Sequence, residues 1–286
     1  MGFSYAAFTV MMPEYSVEES AALLKELGYQ GIEWRVHSVA SSPVGVTDYW
    51  RGNKATFDVH TIVEKAPYIR KLAEDNGLEN IALGTYLSYK HLDDVKRCME
   101  AAVIMGCRDI RVSPPNYTGK VNYNDLYEEA VDGYHKIEDL AKQHKVRANI
   151  ELHPGSICCS AGLGYRFVSN FDPDWVGVIL DPGNMVAEGY ENWQMGLELL
   201  GPYLSYVHVK NTAWVRLDTH NHETRWRNVA SSMRDGFVPW RLVMTALDKV
   251  GYKGWLALED FAPGETRAKL ADDIDYLRSL ESALGL

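Results

Sequence analysis

The sequence has no apolar run approaching the roughly 18 residues needed to cross a bilayer, and Met1–Val10 lacks the cationic start and long apolar stretch of a signal peptide. These absences predict a chain with a cytoplasmic address and no membrane partner. Its 4 cysteines, Cys98, Cys107, Cys158 and Cys159, include no CxxC pair and show no zinc-ligand spacing, so reduced, partly buried thiols are expected. Positive charge is in deficit: 29 Lys and Arg face 39 Asp and Glu, a net charge of −10. Such a field repels polyanions and leaves no electrostatic footprint for a nucleic-acid partner. Glycine is missing from Val10–Tyr15, where a dinucleotide-binding sheet would carry its phosphate loop after the first strand. No Pro/Ser/Gly tract marks a boundary, so residues 1–286 read as one domain.

What is present is a regular alternation. Short β-branched and apolar runs at Phe3–Val10, Gly31–Arg35, Asn80–Gly84, Asp109–Val112, Arg147–Leu152, Gly177–Leu180, Ser205–Val209 and Trp255–Glu259 read as strands. Amphipathic segments between them read as helices at Ser16–Leu27, Asp58–Asn76, Leu92–Met105, Asn124–His144, Asn192–Leu199, Trp240–Val250 and Glu265–Ala283. Ser16 with Glu19 forms a capping box, and Gly28 is a stop signal. Gly164–Asn170 reads as one or two turns at most. Eight strands alternating with helices predict an α/β fold, a single (β/α)8 barrel. Two connections are long. Val36–Phe57 carries Ser, Pro and Gly signals, and 211–237 has no clear period, which predicts a long active-site loop.

In a parallel barrel the reactive side chains lie at the carboxyl ends of the strands. Glu151, Asp181, His208 and Glu259 occupy such positions about one β/α unit apart, the last gap lengthened by the 211–237 loop. Three carboxylates brought together repel and protonate unless a cation neutralises them. Three oxygen ligands and one imidazole suit one divalent metal ion, Mn²⁺ first, with Mg²⁺, Co²⁺ or Zn²⁺ as alternatives. Each residue also has an ordinary structural role open to it: a carboxylate at a strand end often caps a helix, and Asp181 before Pro182-Gly183 suits a turn.

Taken in order, Gly28-Tyr29-Gln30-Gly31-Ile32-Glu33, Asn149-Ile150-Glu151-Leu152-His153, Leu180-Asp181-Pro182-Gly183-Asn184, Tyr206-Val207-His208-Val209-Lys210 and Gly251-Tyr252-Lys253-Gly254 through Leu258-Glu259 resemble the xylose-isomerase-like TIM-barrel superfamily of sugar isomerases and epimerases. That superfamily also includes endonuclease IV. The resemblance implies a single (β/α)8 TIM barrel, Glu151, Asp181, His208 and Glu259 as metal ligands, and Glu151 with Glu259 as the catalytic pair. It also implies a homo-oligomer, a dimer or tetramer. The ketose 3-epimerase branch carries histidine where this chain has Asn184, and some hydroxypyruvate-isomerase-like relatives carry Gln where it has His208.

A divalent ion chelated by a carbonyl and its neighbouring hydroxyl acidifies the C–H between them and stabilises the enediolate. Two opposed glutamates can then move the proton. The expected function is therefore a divalent-metal-dependent sugar isomerase or epimerase acting on an unphosphorylated ketose or keto-sugar. The alternative is a dehydratase or lyase of an inosose or 3-keto-glycoside, by enolisation and β-elimination in the same site; an endonuclease IV-like nuclease is a remote third. His153, Asn184, Lys210 and Arg216 are candidate substrate contacts. Trp214 and Trp226 in the long loop suit stacking on a sugar or packing on the barrel rim. His220 and His222 read as surface; Glu33 and Arg35 end the second strand on one face, where charge pairing explains them as well as a substrate contact does, and they are left outside the site.

Overall fold

The computed structural model describes residues 2–38 and 45–286. The Ser and Pro signals at 39–44 lie outside the described residues. In chain order the elements are β1 (Ser4–Phe8), α1 (Val17–Leu27), β2 (Gly31–His37), β3 (Thr56–Asp58), α2 (Ile62–Asn76), β4 (Glu79–Thr85), α3 (Leu92–Met105), β5 (Asp109–Arg111), α4 (Tyr123–His144) and β6 (Arg147–Glu151). There follow α5 (Ala161–Val168), β7 (Val176–Leu180), α6 (Pro182–Ala187), α7 (Trp193–Leu200), β8 (Leu204–Val209), β9 (Asn211–His220), β10 (Glu223–Ser231), α8 (Trp240–Lys249), β11 (Trp255–Leu258) and α9 (Thr266–Leu284).

β1, β2, β4, β5, β6, β7, β8 and β11 pair in parallel in that order, and β1 closes the ring by pairing with both β2 and β11. The fold is a closed (β/α)8 barrel. β3 lies outside the ring, parallel to the end of β2, with Arg35 opposite Thr56 and His37 opposite Asp58. No described helix is long and apolar enough to cross a membrane.

Local signals set the element ends. The Ser16 side chain accepts from the Glu19 backbone while Glu19 reaches back to Ser16, the expected capping box, and Gly28 ends α1 at φ 81°. The helix expected from Asp58 starts at Ile62 instead, because Asp58 still belongs to β3. Ser160 caps α5, which covers Ala161–Val168 rather than Gly164–Asn170. The segment 211–237 is not an irregular loop: β9 and β10 form an antiparallel hairpin, with Trp226 opposite Arg216. Most of its side chains are exposed on both faces, so the sequence carries no apolar–polar alternation to reveal it.

Apolar residues such as Leu24, Trp34, Ile69, Phe167 and Trp240 pack between the barrel and its helices. Inside the barrel a smaller cluster, including Ala6, Ala82, Ile179, Tyr206 and Ala257, fills the lower level. The two-residue period of a strand then lifts the next inward side chains, Phe8, His208 and Glu259, toward the carboxyl ends. Gly84 leaves space for this: a Cβ there would meet the Phe8 ring at 2.4 Å and Glu33 Oε1 at 2.8 Å.

Candidate metal centre

Glu151 ends β6, Asp181 follows β7, His208 lies on β8 and Glu259 follows β11. One ligating atom from each lies within 4.8 Å of the others, and all four residues are buried. They form a buried group able to hold a metal ion.

The surroundings of each ligand show what fixes it. Arg111 Nη1 donates to Glu151 Oε2 at 2.6 Å, and Asn184 Nδ2 donates to Glu151 Oε1 at 3.1 Å and to Asp181 Oδ2 at 2.9 Å. Asp181 fulfils both readings of its sequence context. Oδ1 caps α6 by accepting from the Asn184 backbone at 2.9 Å, and Oδ2 faces the site, 2.7 Å from Lys210 Nζ. Lys210 Nζ also lies 2.8 Å from Glu259 Oε2, so it bridges two of the four ligands. Gly183 makes room for that lysine, since a Cβ there would stand 2.5 Å from Lys210 Cγ.

His208 is gripped from both ring nitrogens. Nδ1 lies 3.1 Å from Glu151 Oε1 and 3.5 Å from Glu259 Oε2, while Nε2 lies 2.9 Å from Glu33 Oε2. Tyr206 donates its hydroxyl to the other oxygen of Glu33 at 2.9 Å. Glu33 and Arg35 are therefore not the charge pair expected: Glu33 serves the ligand histidine, and Arg35 donates to Thr56 Oγ1 and to the Trp50 carbonyl.

Charge in this group is frustrated. Burial pushes Asp181 up to about 6, with Lys210 opposing and Glu151 and Glu259 adding to the rise. Burial also resists ionisation of Glu151, but Arg111, His208 and Lys210 outweigh it and hold the carboxyl well below the usual range. Burial disfavours a charged His208, yet Glu33, Glu259 and Glu151 together carry its pKa well above the ordinary value. Three converging carboxylates, two of which help to raise the pKa of Asp181, are a donor set whose charge a divalent cation relieves. The residues present thus fit the ion the sequence calls for.

Above the ligands opens a cavity of about 670 Å³. His153, Asn184 and Lys210, three of the four expected substrate contacts, line it. Arg216 does not: it stands exposed on β9, and its side chain contacts Thr219 at 3.4 Å. Trp214 donates to the Val186 carbonyl, packing the hairpin against α6. Sequence reasoning missed Arg111, Tyr86, Trp50 and Phe261, which also line the cavity. For Arg111 a signal existed, a charge at the carboxyl end of the strand Asp109–Arg111. Trp50 and Phe261 sit in connections with no periodicity to read.

A closed (β/α)8 barrel with a carboxylate-rich metal group at the carboxyl ends of its later strands defines a class, and a family profile described as xylose isomerase-like TIM barrel matches residues 21–280. The chain belongs to that family. Among curated proteins it is similar to inosose dehydratase from Serratia proteamaculans, 26% identical over 161 residues, covering 54% of this chain and 52% of that one. The match thus spans about half the length of the relative. Among solved structures it resembles the 3-keto-D-glucoside 4-epimerase YcjR from E. coli, with TM-score 0.72, 16% identity, and coverage of 97% and 99%. It also resembles a xylose isomerase-like TIM barrel protein from Mycobacterium smegmatis in complex with magnesium, with TM-score 0.69, 17% identity, and coverage of 99% and 98%. At these identities the likeness to the solved structures is one of fold.

Proposed function

We propose that this protein is a divalent-metal-dependent enzyme that enolises a small keto-sugar or inosose and completes the reaction by β-elimination. The observation that carries the reading is the convergence of Glu151, Asp181, His208 and Glu259 within 4.8 Å at the floor of a sugar-sized cavity. Bound there, Mn²⁺ or a similar divalent ion supplies Lewis acidity toward a carbonyl and its neighbouring hydroxyl.

The side chains divide the remaining work. The two glutamates are not equivalent. Glu151 is tied to Arg111, Asn184 and His208, so its lone pairs are committed and its proton affinity is suppressed. Glu259 shares its oxygens with Lys210 and His208 alone among the described hydrogen bonds and ion pairs, which leaves it the better base for the proton next to the carbonyl. Lys210, 2.8 Å from Glu259 and on the cavity wall, is placed to return a proton to a departing hydroxyl. Trp50 and Phe261, with ring centroids 5.3 Å apart, give the mouth an apolar face on which a sugar ring can stack. The similarity to inosose dehydratase supports elimination.

A second reading keeps the first step and changes the last. If Glu151 returns the proton from the opposite face, the outcome is isomerisation or epimerisation, and the fold shared with the keto-glucoside epimerase favours it. The test is NMR in D₂O with inososes, ketoses and keto-glycosides, using protein loaded with Mn²⁺, Mg²⁺, Co²⁺ or Zn²⁺. Elimination gives a dehydrated product, epimerisation a product of the same mass apart from deuterium. No exchange with any substrate under any metal would refute both, and a Glu259→Gln variant that still exchanges at the native rate would refute the assignment of the base.

A further inference from the structure

The ring order of the barrel divides the site into halves. The four ligands come from β6, β7, β8 and β11, which are consecutive neighbours. Across from them lie β2, β4 and β5, with Arg35 near the end of β2, Tyr86 just past β4 and Arg111 at the end of β5. β4 stands diametrically opposite β8 in the ring.

Tyr86 packs against both arginines. The guanidinium carbon of Arg111 lies 4.7 Å from its ring centroid and that of Arg35 lies 5.1 Å away. Its hydroxyl is buried and has no hydrogen-bond partner among the described residues, and the same is true of Arg35 Nε beside it. A buried donor without an acceptor is costly, and native structures seldom leave one without a reason. Two cations this close to the ring polarise the phenol, making its O–H a better donor and its oxygen a poorer acceptor. The side chain belongs to the same cavity wall as Arg111, Glu151, Lys210 and Glu259.

We propose that Tyr86 is a substrate-contacting residue whose hydroxyl donates to one oxygen of the sugar on the side of the ring remote from the chelated carbonyl and hydroxyl. A six-membered ring anchored on the β6–β11 half extends its far oxygens toward β4, where this donor waits unmatched. The proposal rests on the keto-sugar reading above and adds to it a specificity determinant outside the metal group. Tyr86 selects substrates bearing an oxygen at that one position.

The test is Tyr86→Phe, which keeps the ring and both arginine contacts and removes only the oxygen. An inosose and its monodeoxy analogues serve as probes, with ketoses and keto-glycosides screened alongside them, and metal content is measured by elemental analysis. The native protein is expected to lose roughly three- to tenfold in kcat/KM on one deoxy analogue, the size of one neutral hydrogen bond. The Tyr86→Phe variant is expected to lose the same factor on the parent compound, to discriminate no longer against that analogue, and to hold the same metal. Unchanged kinetics on the parent, or an equal loss on every analogue, overturns the role of Tyr86 while leaving the keto-sugar reading intact. If the metal-loaded native protein neither exchanges nor converts any of these compounds, the functional reading falls and this inference falls with it.

Discussion

Glu33 Oε2 lies 2.9 Å from His208 Nε2, on the side of the imidazole away from Glu151 and Glu259. That contact leaves Nδ1 to face the ligand group and fixes the ring plane, the arrangement that orients most metal-binding histidines. Glu33→Gln is expected to weaken metal affinity by about 10- to 100-fold with the fold retained. Competition with a chelator measures it, and equal affinity in the variant would show that the contact does not orient the ligand.

Arg111 pairs through Nη1 with the buried Glu151 while its Nε donates to the Thr85 carbonyl, and removing it takes the arginine partner from that carboxylate. Arg111→Met is expected to cost about 3–5 kcal/mol of stability in metal-free protein. Adding Glu151→Gln in the same chain should recover a large part of that loss, because the orphaned charge is gone. Urea unfolding of the two single variants and the double variant gives the coupling, and strictly additive losses would show that the pair is not energetically linked.

Asp273 on α9 is 2% exposed and one of its oxygens has no partner among the described residues. Burial, with Asp260 nearby and Lys269 opposing, pushes its pKa up to about 8. An unfolded aspartate titrates near 3.9, so between about pH 4 and pH 8 the folded chain holds a proton that the unfolded chain has released. This group therefore makes stability fall as pH rises through that window, with the full penalty present above the folded pKa. Asp273→Asn should remove the slope and stabilise the protein by on the order of a few kcal/mol at pH 8, and by much less at pH 4.5. Melting curves at both pH values check this, and an equal effect at both would contradict it.

Gly84 leaves no room for a side chain between Phe8 and Glu33. Gly84→Ala forces a methyl group against Phe8 and Glu33 and is expected to cost about 1–3 kcal/mol. Because Glu33 must move, metal affinity should fall as well. A destabilised variant with native metal affinity would show that Phe8 alone yields.

Much of the barrel was legible because its signals are local. Leu92–Met105 is predicted and observed with the same ends, and Gly106 closes that helix at φ 78°. The convergence of Glu151, Asp181, His208 and Glu259 was legible because strand ends in a parallel barrel bring distant residues to one level, and their spacing tracks the β/α unit. Glu33 and Arg111 were harder to assign. Their roles depend on register across the barrel: Glu33 is 175 residues from His208, and Arg111 is 40 from Glu151. The β9–β10 hairpin escaped because neither face is buried, so pairing leaves no trace in hydrophobic pattern. Arg216, expected near the start of a long active-site loop, stands on the same hairpin, exposed on β9 and away from the cavity lining.

The closure of β1 onto β11 also governs assembly. Ser4 to Ala7 pair with Trp255 to Leu258, so β1 is held on one side by a strand made long after it. During synthesis β1 can rest only on β2 within the barrel until β11 emerges, and Glu259, the proposed base, arrives just after β11. Long-range pairing of this kind slows folding and leaves a strand edge open in the meantime. The buried four-residue group therefore comes together only at the step that seals the barrel, and a chain stalled before Trp255 holds neither a closed sheet nor all four of its side chains.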